Sequence, residues 1–229
     1  MLIKKMILKE NENKCIKRKK MQSEKKVVCI ISIVLFSTLL AACSKQTDFN
    51  AKSYVQSSLD AEYHREYADY ANLMEISEED VKKQVEEDFN ESIRQQFASS
   101  DNITEEEIAA YTEKMAEVKK LAKYKVQDEK KDEDGNYTVS VKVEPSDVFQ
   151  TLQQSSAEVS KEKIAQGMKE TDPGVFASVL TESVQKSLEK NSYGKTVTVK
   201  VSVEKDNSGK YGLSDTEMNK LEAAMFPTE

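Results

Sequence analysis

The sequence has few residue types that usually carry catalysis, and its single histidine, His64, is the first to consider. An imidazole can act as a general base or bind a metal ion near neutral pH. His64 stands beside Tyr63, with no second histidine to complete a metal site and no evident nucleophilic triad. We therefore expect a structural or surface role for His64 and predict no catalytic residue.

Three tyrosines, Tyr63, Tyr67 and Tyr70, recur at three- and four-residue steps and so share one face of a predicted helix. Aromatic side chains at this spacing usually fill a core, but they can also line a groove that binds a glycan or a peptide. We expect the core arrangement and keep a weak ligand groove as the alternative. An enzyme built from tyrosines and carboxylates is the least favoured possibility.

Acidic residues are clustered, but their positions do not predict a metal site. Residues 78–80 and 105–107 fall in the first turns of predicted helices, where negative charge interacts favourably with the helix dipole. Residues 132–136 look like part of a calcium loop, yet Lys130 and Val141 stand where its first and last ligands would be. No phosphate-binding glycine loop and no zinc-protease motif occurs. We predict no metal and no cofactor.

The strongest signal lies upstream of all these residues. Residues 27–42 form a sixteen-residue, mostly apolar run, VVCIISIVLFSTLLAA, that follows a basic segment over residues 1–26. A basic flank, an apolar stretch and small residues at its end are typical of a secretory signal peptide. A membrane-spanning helix needs about twenty apolar residues, so the run is short for one. We therefore predict a signal peptide over residues 1–42.

The run ends in Leu40-Ala41-Ala42-Cys43, which resembles the lipobox of bacterial lipoproteins. The resemblance implies cleavage between Ala42 and Cys43 and a diacylglycerol on the Cys43 sulfur. Two acyl chains suffice for stable anchoring, so we expect a palmitate-labelled protein at the extracytoplasmic face of the cell membrane. Residues 43–48 would then form a lipidated tether, in which Ser44 to Asp48 span at most about 18 Å.

The chain offers two starting methionines, Met1 and Met21. From Met21 to Ala42 there are 22 residues, an ordinary signal-peptide length, whereas a start at Met1 adds a long basic extension. We expect translation to start at Met21, and the sequence leaves Met1 open.

Removal of the predicted leader makes the remaining chain strongly acidic. The leader holds ten of the 34 basic and three of the 41 acidic residues, so residues 43–229 carry a formal charge of −14. Such a chain lacks the basic footprint that nucleic acids require, and we exclude them as partners. Cys15 and Cys29 fall in the leader, so Cys43 is the lone cysteine of the mature chain and cannot form an internal disulfide.

Apolar residues at helical spacing predict most of the acidic domain over residues 49–226. One helix is expected over 49–74 with a break near residue 65, and helices are expected after the caps Asp48, Ser77, Thr104 and Ser214. Residues 147–170 are also predicted to be helical, and Asp172-Pro173 is predicted to start another helix. In that last helix we expect the core face to consist of Phe176, Leu180, Val184 and Leu188.

Alternating valines and polar residues predict strands over 137–143 and 197–203, with hairpin partners at Tyr124–Gln127 and Tyr211–Leu213. The expected fold is α+β, with several amphipathic helices packed on one face of a small antiparallel sheet of about four strands. A cystatin-like or nuclear-transport-factor-like arrangement is one such form. The near repeat of TVSVKV (138–143) as TVTVKV (196–201) leaves an internal duplication open.

Several short segments together resemble a group of Gram-positive cell-surface lipoproteins that carry a domain of unknown function. The segments are Tyr54-Val55, Leu59-Asp60, Ile76-Ser77-Glu78-Glu79 and Gly135-Asn136-Tyr137. The resemblance implies a lipoprotein and no functional residues. We predict a lipid-anchored extracytoplasmic binding domain, not an enzyme, whose partner is an unknown envelope protein or peptide with a basic surface. The alternative is a carrier with a small-ligand pocket between helices and sheet.

Overall fold

Groups of helices precede, separate and follow two pairs of strands in the computed structural model, which describes residues 49–98, 103–169 and 172–228. Within these ranges the helices are α1 (Ala51–Leu59), α2 (Ala68–Met74), α3 (Glu78–Phe97), α4 (Glu105–Lys119), α5 (Leu152–Ala165), α6 (Val175–Lys190) and α7 (Asp215–Met225). The strands are β1 (Tyr124–Lys131), β2 (Tyr137–Val143), β3 (Val197–Lys205) and β4 (Tyr211–Leu213). The α+β class is confirmed.

Side-chain caps fix the beginnings of four helices. Ser77, Thr104 and Ser214 each accept a hydrogen bond from a first-turn amide, as predicted. At Thr104 the capping box is complete, because Glu107 also accepts from the Thr104 amide at 2.7 Å. The predicted cap Asp48 lies outside the described residues, and α1 is capped by Asn50, whose side chain accepts from Ser53 N.

The four strands form one antiparallel sheet in the order β1-β2-β3-β4. β2 and β3 pair over seven residues without a bulge, from Tyr137 opposite Val203 to Val143 opposite Val197. The two near-repeat segments therefore pair with each other. β2 is the second strand of the first hairpin, whereas β3 is the first strand of the second hairpin. A duplication of a whole hairpin would repeat a sequence at the same position in both hairpins, so it does not account for this near repeat.

One face of the sheet is buried and the other is wet, as alternation requires. On the buried face Val139, Val141, Val201 and Val203 have no exposed surface, and α1 and α7 pack against this side of the sheet. The opposite face presents side chains that are exposed or half-buried, including Thr138, Lys142, Thr198 and Lys200. We call this side the open face of the sheet.

The predicted break near residue 65 is confirmed, and its form is unusual. After Leu59 the helix widens into a π-helical segment, Asp60–His64. It ends at Arg65, whose φ of 60° lies in the left-handed region that side chains usually avoid. The chain then turns and starts α2, so α1 and α2 are two short helices instead of one long helix.

The prediction for α6 was wrong in two respects. The helix begins at Val175 after Gly174, which has a φ of 77°, and Asp172-Pro173 precedes it in a turn. Phe176 is 62 % exposed, and the buried positions are Ala177, Ser183, Val184 and Ser187. The reason is close packing against α5, where Ser187 Oγ donates to Ser155 Oγ at 3.1 Å. Small side chains let the two helices approach, and larger ones are displaced outward.

Candidate functional site

The π-helical segment places ionisable side chains inside the fold. Three consecutive residues, Ala61, Glu62 and Tyr63, are buried, with 3 %, 7 % and 2 % of their surface exposed. Ser57, Ser58 and Leu59 at the end of α1 are buried as well, so the chain is enclosed on most sides along this stretch. Single π-helical turns are frequent at functional sites, which makes this segment the first candidate.

Glu62 pairs inside the fold with Lys119, the last residue of α4. Lys119 Nζ donates to Glu62 Oε1, and both side chains are more than nine-tenths buried. The ammonium also lies 4.6 Å from the centre of the Phe89 ring and 5.8 Å from that of Tyr63. A buried charge of either sign is costly unless it is paired, so the two residues depend on each other.

A second carboxylate, Glu222 of α7, interacts electrostatically with the same lysine. Burial raises the pKa of Glu222 to about 7, the nearby Glu62 carboxylate adds to that rise, and the Lys119 ammonium opposes it. Lys119 thus pairs with Glu62 and acts electrostatically on Glu222, whose raised pKa places its proton exchange near neutral pH. We call Glu62, Lys119 and Glu222 the buried ionic cluster.

Tyrosines surround this cluster on the side of the sheet. The Tyr63 ring centre lies 6.3 Å from that of Tyr124 and 6.2 Å from that of Phe226. Tyr124 donates its hydroxyl to Asp60 Oδ1 at 2.7 Å, and Gln56 donates to the same carboxylate. Burial raises the pKa of Tyr124, and the hydrogen bond to Asp60 adds to the rise. The π-helical segment is therefore joined to β1 by a hydrogen bond as well as by ring packing.

The tyrosines of the predicted groove are all buried. Tyr63, Tyr67 and Tyr70 have 2 %, 5 % and 5 % of their surface exposed, which favours the core alternative. Among the described residues the hydroxyls of Tyr63 and Tyr67 have no hydrogen-bond partner. Burial raises the pKa of Tyr63 well above its ordinary value, with smaller contributions from Glu222 and Glu62.

Of the other predicted site residues, His64 lies within the described ranges and the two residues at the predicted cleavage site do not. His64 is half-buried against Tyr124, with ring centres 5.3 Å apart. Cys43 and Ala42 lie outside the described residues. Across the described ranges no group of three or more His, Cys, Asp or Glu side chains could hold a metal ion. No helix within those ranges has both the length and the apolar character that crossing a membrane requires.

The buried ionic cluster escaped the sequence analysis. Glu62 and Glu222 stand in amphipathic helices where a charged residue normally faces water, and Lys119 is one of three lysines between residues 119 and 123. Only the π-helical turn and the approach of α4 and α7 bring the three together. Chemically, the half-buried Glu222 can bind and release a proton near neutral pH, while Lys119 and Glu62 are shielded from bulk solvent.

Comparison with known proteins finds a shared fold and little else. No protein-family model and no curated protein matches the chain. A crystal structure of the Bacillus subtilis protein YcdA, described as a candidate lipoprotein, superposes with a TM-score of 0.53 at 13 % sequence identity. The match covers 76 % of this chain and 56 % of YcdA, so the chain spans a little over half the length of that protein. At this identity the likeness shows the fold alone.

Proposed function

We propose that this protein is a lipid-anchored lipoprotein whose extracytoplasmic domain binds a protein or peptide of the cell envelope. The anchor rests on one observation, namely that Cys43 directly follows a basic and then apolar leader. The fold shared with YcdA, itself described as a candidate lipoprotein, supports the class. Only five residues separate Cys43 from Phe49, so the domain would be held close to the bilayer.

Metabolic labelling tests the anchor directly. Cells grown with labelled palmitate should yield a labelled, membrane-bound protein. A Cys43→Ala variant should be unlabelled and unprocessed. Cys29→Ala, which removes a thiol from the leader, is the matched control and should be labelled normally. An unlabelled wild-type protein, or a Cys43→Ala variant that is processed and membrane-bound as before, would contradict the proposal.

Exposed apolar side chains favour a macromolecular partner over a small ligand. Ile164, Met168 and Phe176 are 56 %, 40 % and 62 % exposed, and all three lie at the connected end of the α5–α6 hairpin. Large apolar side chains grouped on a surface commonly mark interaction sites. We call this group the hairpin tip.

Site-specific cross-linking in intact cells tests the hairpin tip. A photoreactive amino acid at position 176 should give an adduct of defined mass that is lost when Ile164 is changed to Ser. The same probe at Leu73, which is 40 % exposed on α2, is the control and should not give that adduct. An adduct that also forms from position 73, or that survives Ile164→Ser, would remove the hairpin tip from the proposal.

A small-ligand carrier is the second candidate, favoured by the two buried tyrosine hydroxyls that lack a partner. A buried polar atom without a hydrogen bond is unfavourable, and a polar ligand group could supply one. Native mass spectrometry of the purified protein should then reveal a retained molecule. If the tyrosines line its groove, Tyr67→Ala should abolish retention while the melting temperature stays nearly unchanged. A large fall in melting temperature would support the core arrangement.

A further inference from the structure

The first half of strand β3 is an unpaired sheet edge. β4 pairs only with Val203, Glu204 and Lys205, so residues 197–202 have no strand partner on that side among the described residues. Val197 is 42 % exposed although it stands opposite the fully buried Val143. An unpaired edge presents rows of backbone donors and acceptors that can pair with another extended chain. We call residues 197–202 the β3 edge.

The direction of the edge amides follows from one contact. Ser202 N donates to Glu217 Oε2 at 3.1 Å, so the Ser202 amide points away from β2. Backbone groups in a strand alternate in direction, and the amides of Thr198 and Lys200 therefore point the same way. A carboxylate of α7 already occupies the end of this row. The Thr198 and Lys200 amides are two further donors along this edge.

The β3 edge differs from the other edge of the sheet. β1 carries an irregularity in pairing between Val126 and Glu129, and bulges of this kind discourage the addition of another strand. β3 is regular against β2 over its paired length and carries valines on one side and Thr198 and Lys200 on the other. Its geometry suits an added strand better than that of β1.

The charge on the open face of the sheet indicates the partner. Lys125 stands opposite Lys142, Lys130 opposite Thr138, and Lys200 opposite Ser140, so four exposed lysines share the open face. None of them forms an ion pair with a described residue. Like charges on adjacent strands are destabilising. This lysine row is therefore a local basic surface on a chain whose net charge is negative.

We propose that the β3 edge binds an extended peptide segment of a partner protein with alternating apolar and acidic residues. Its backbone would pair with Thr198 and Lys200, as in other cases of strand addition. Its apolar side chains would lie beside Val197 and Val199, and its acidic ones would lie on the open face, nearest to Lys200. The partner segment is thus acidic, although the net charge of the domain by itself favours a basic one. The inference rests on the choice of a peptide partner in the proposed function and is independent of the lipid anchor.

Peptide binding to the full chain in detergent tests this inference. The probe is a labelled heptapeptide of alternating valine and glutamate, and the control probe replaces glutamate with lysine. We expect saturable binding of the acidic probe only, and slower hydrogen exchange of the Thr198 and Lys200 amides when it is bound. Lys200→Glu should weaken binding at least about tenfold, because it reverses the charge nearest the added strand. Lys161→Glu, an equal charge change at an exposed position of α5, should not weaken it.

Several outcomes would overturn the inference. Equal binding of both probes, unchanged affinity of Lys200→Glu, or protection of amides elsewhere would each do so. A wild-type dimer in native mass spectra that Lys200→Glu dissociates would assign the edge to a second copy of the chain. Absence of any binding would mean that the lysines only shield the edge. Palmitate labelling is unaffected by all of these results, so failure of the edge and failure of the anchor can be told apart.

Discussion

The buried ionic cluster and the α5–α6 hairpin both contain paired charges, but the pairs stand in opposite surroundings. In the cluster, Lys119 pairs with Glu62 and acts electrostatically on Glu222, and Lys119 and Glu62 are almost entirely removed from water. On the hairpin, three ion pairs bridge the helices at the surface, Lys163–Glu182, Lys186–Glu162 and Lys190–Glu158. Burial, and not the number of pairs, decides how much a pair matters when it is broken.

The largest expected effect is the loss of Lys119. Lys119→Met should lower the free energy of unfolding by about 3 to 5 kcal/mol, because it leaves Glu62 buried without its partner. Denaturant unfolding measures the change. Adding Glu62→Met should recover most of the loss, since the pair is then replaced by apolar groups. Lys120→Met, at the exposed neighbouring position, is the control. A Lys119→Met variant as stable as the control would show that the cluster is not the buried site described above.

The next largest expected effect is the dependence of stability on pH that Glu222 causes. The pKa of Glu222 in the folded state is about 7, above its ordinary value of 4.5, so the folded state holds the proton more tightly. The resulting stabilisation is complete below about pH 4.5 and is lost as the pH rises through 7. The loss amounts to about 3 kcal/mol.

Glu222→Gln tests this dependence by unfolding at pH 4.5 and pH 7.5. The variant should be relatively more stable than the wild type at the higher pH, because glutamine stays neutral. Asp215→Asn, an exposed change on the same helix, should keep the wild-type dependence. If the free energy of unfolding changes equally with pH in the wild type and in Glu222→Gln, the raised pKa does not belong to Glu222.

A smaller effect is expected at the tyrosine hydroxyls around the cluster. Tyr67→Phe removes a buried hydroxyl without a partner, and it should raise the free energy of unfolding by about 1 kcal/mol. Tyr124→Phe should instead lower the free energy of unfolding, because the Tyr124 hydroxyl donates a hydrogen bond to Asp60. Thermal unfolding of both variants measures the contrast. Destabilisation by Tyr67→Phe would mean that this hydroxyl has a partner after all.

The smallest effect is expected on the hairpin. Removing either partner of the Lys186–Glu162 pair should shift the melting temperature by no more than about 2 °C, because water screens the charges and replaces the contact. High salt should change the melting temperatures of the variant and the wild type by similar amounts. A shift as large as that of Lys119→Met would erase the distinction between the two regions.

Several features of the fold were predictable because they depend on neighbours along the chain. The caps at Ser77, Thr104 and Ser214 bind amides three residues away, and the alternation over 137–143 fixes which side chains share a sheet face. α6 was predicted less well. Its apolar spacing favoured Phe176 as a core residue, but contact with α5 selected the serines and alanine instead.

By itself, the sequence determined the acidic balance of the chain, the element types and the α+β class, because periodicity, capping and charge are local or additive properties. The leader over residues 1–42 stays a prediction. Only the tertiary structure decided that Glu62, Lys119 and Glu222 come close enough to interact, since they come from three elements far apart in sequence. It also decided that β4 is too short to cover β3. Burial and strand pairing depend on which segments, distant in sequence, pack against each other in the fold.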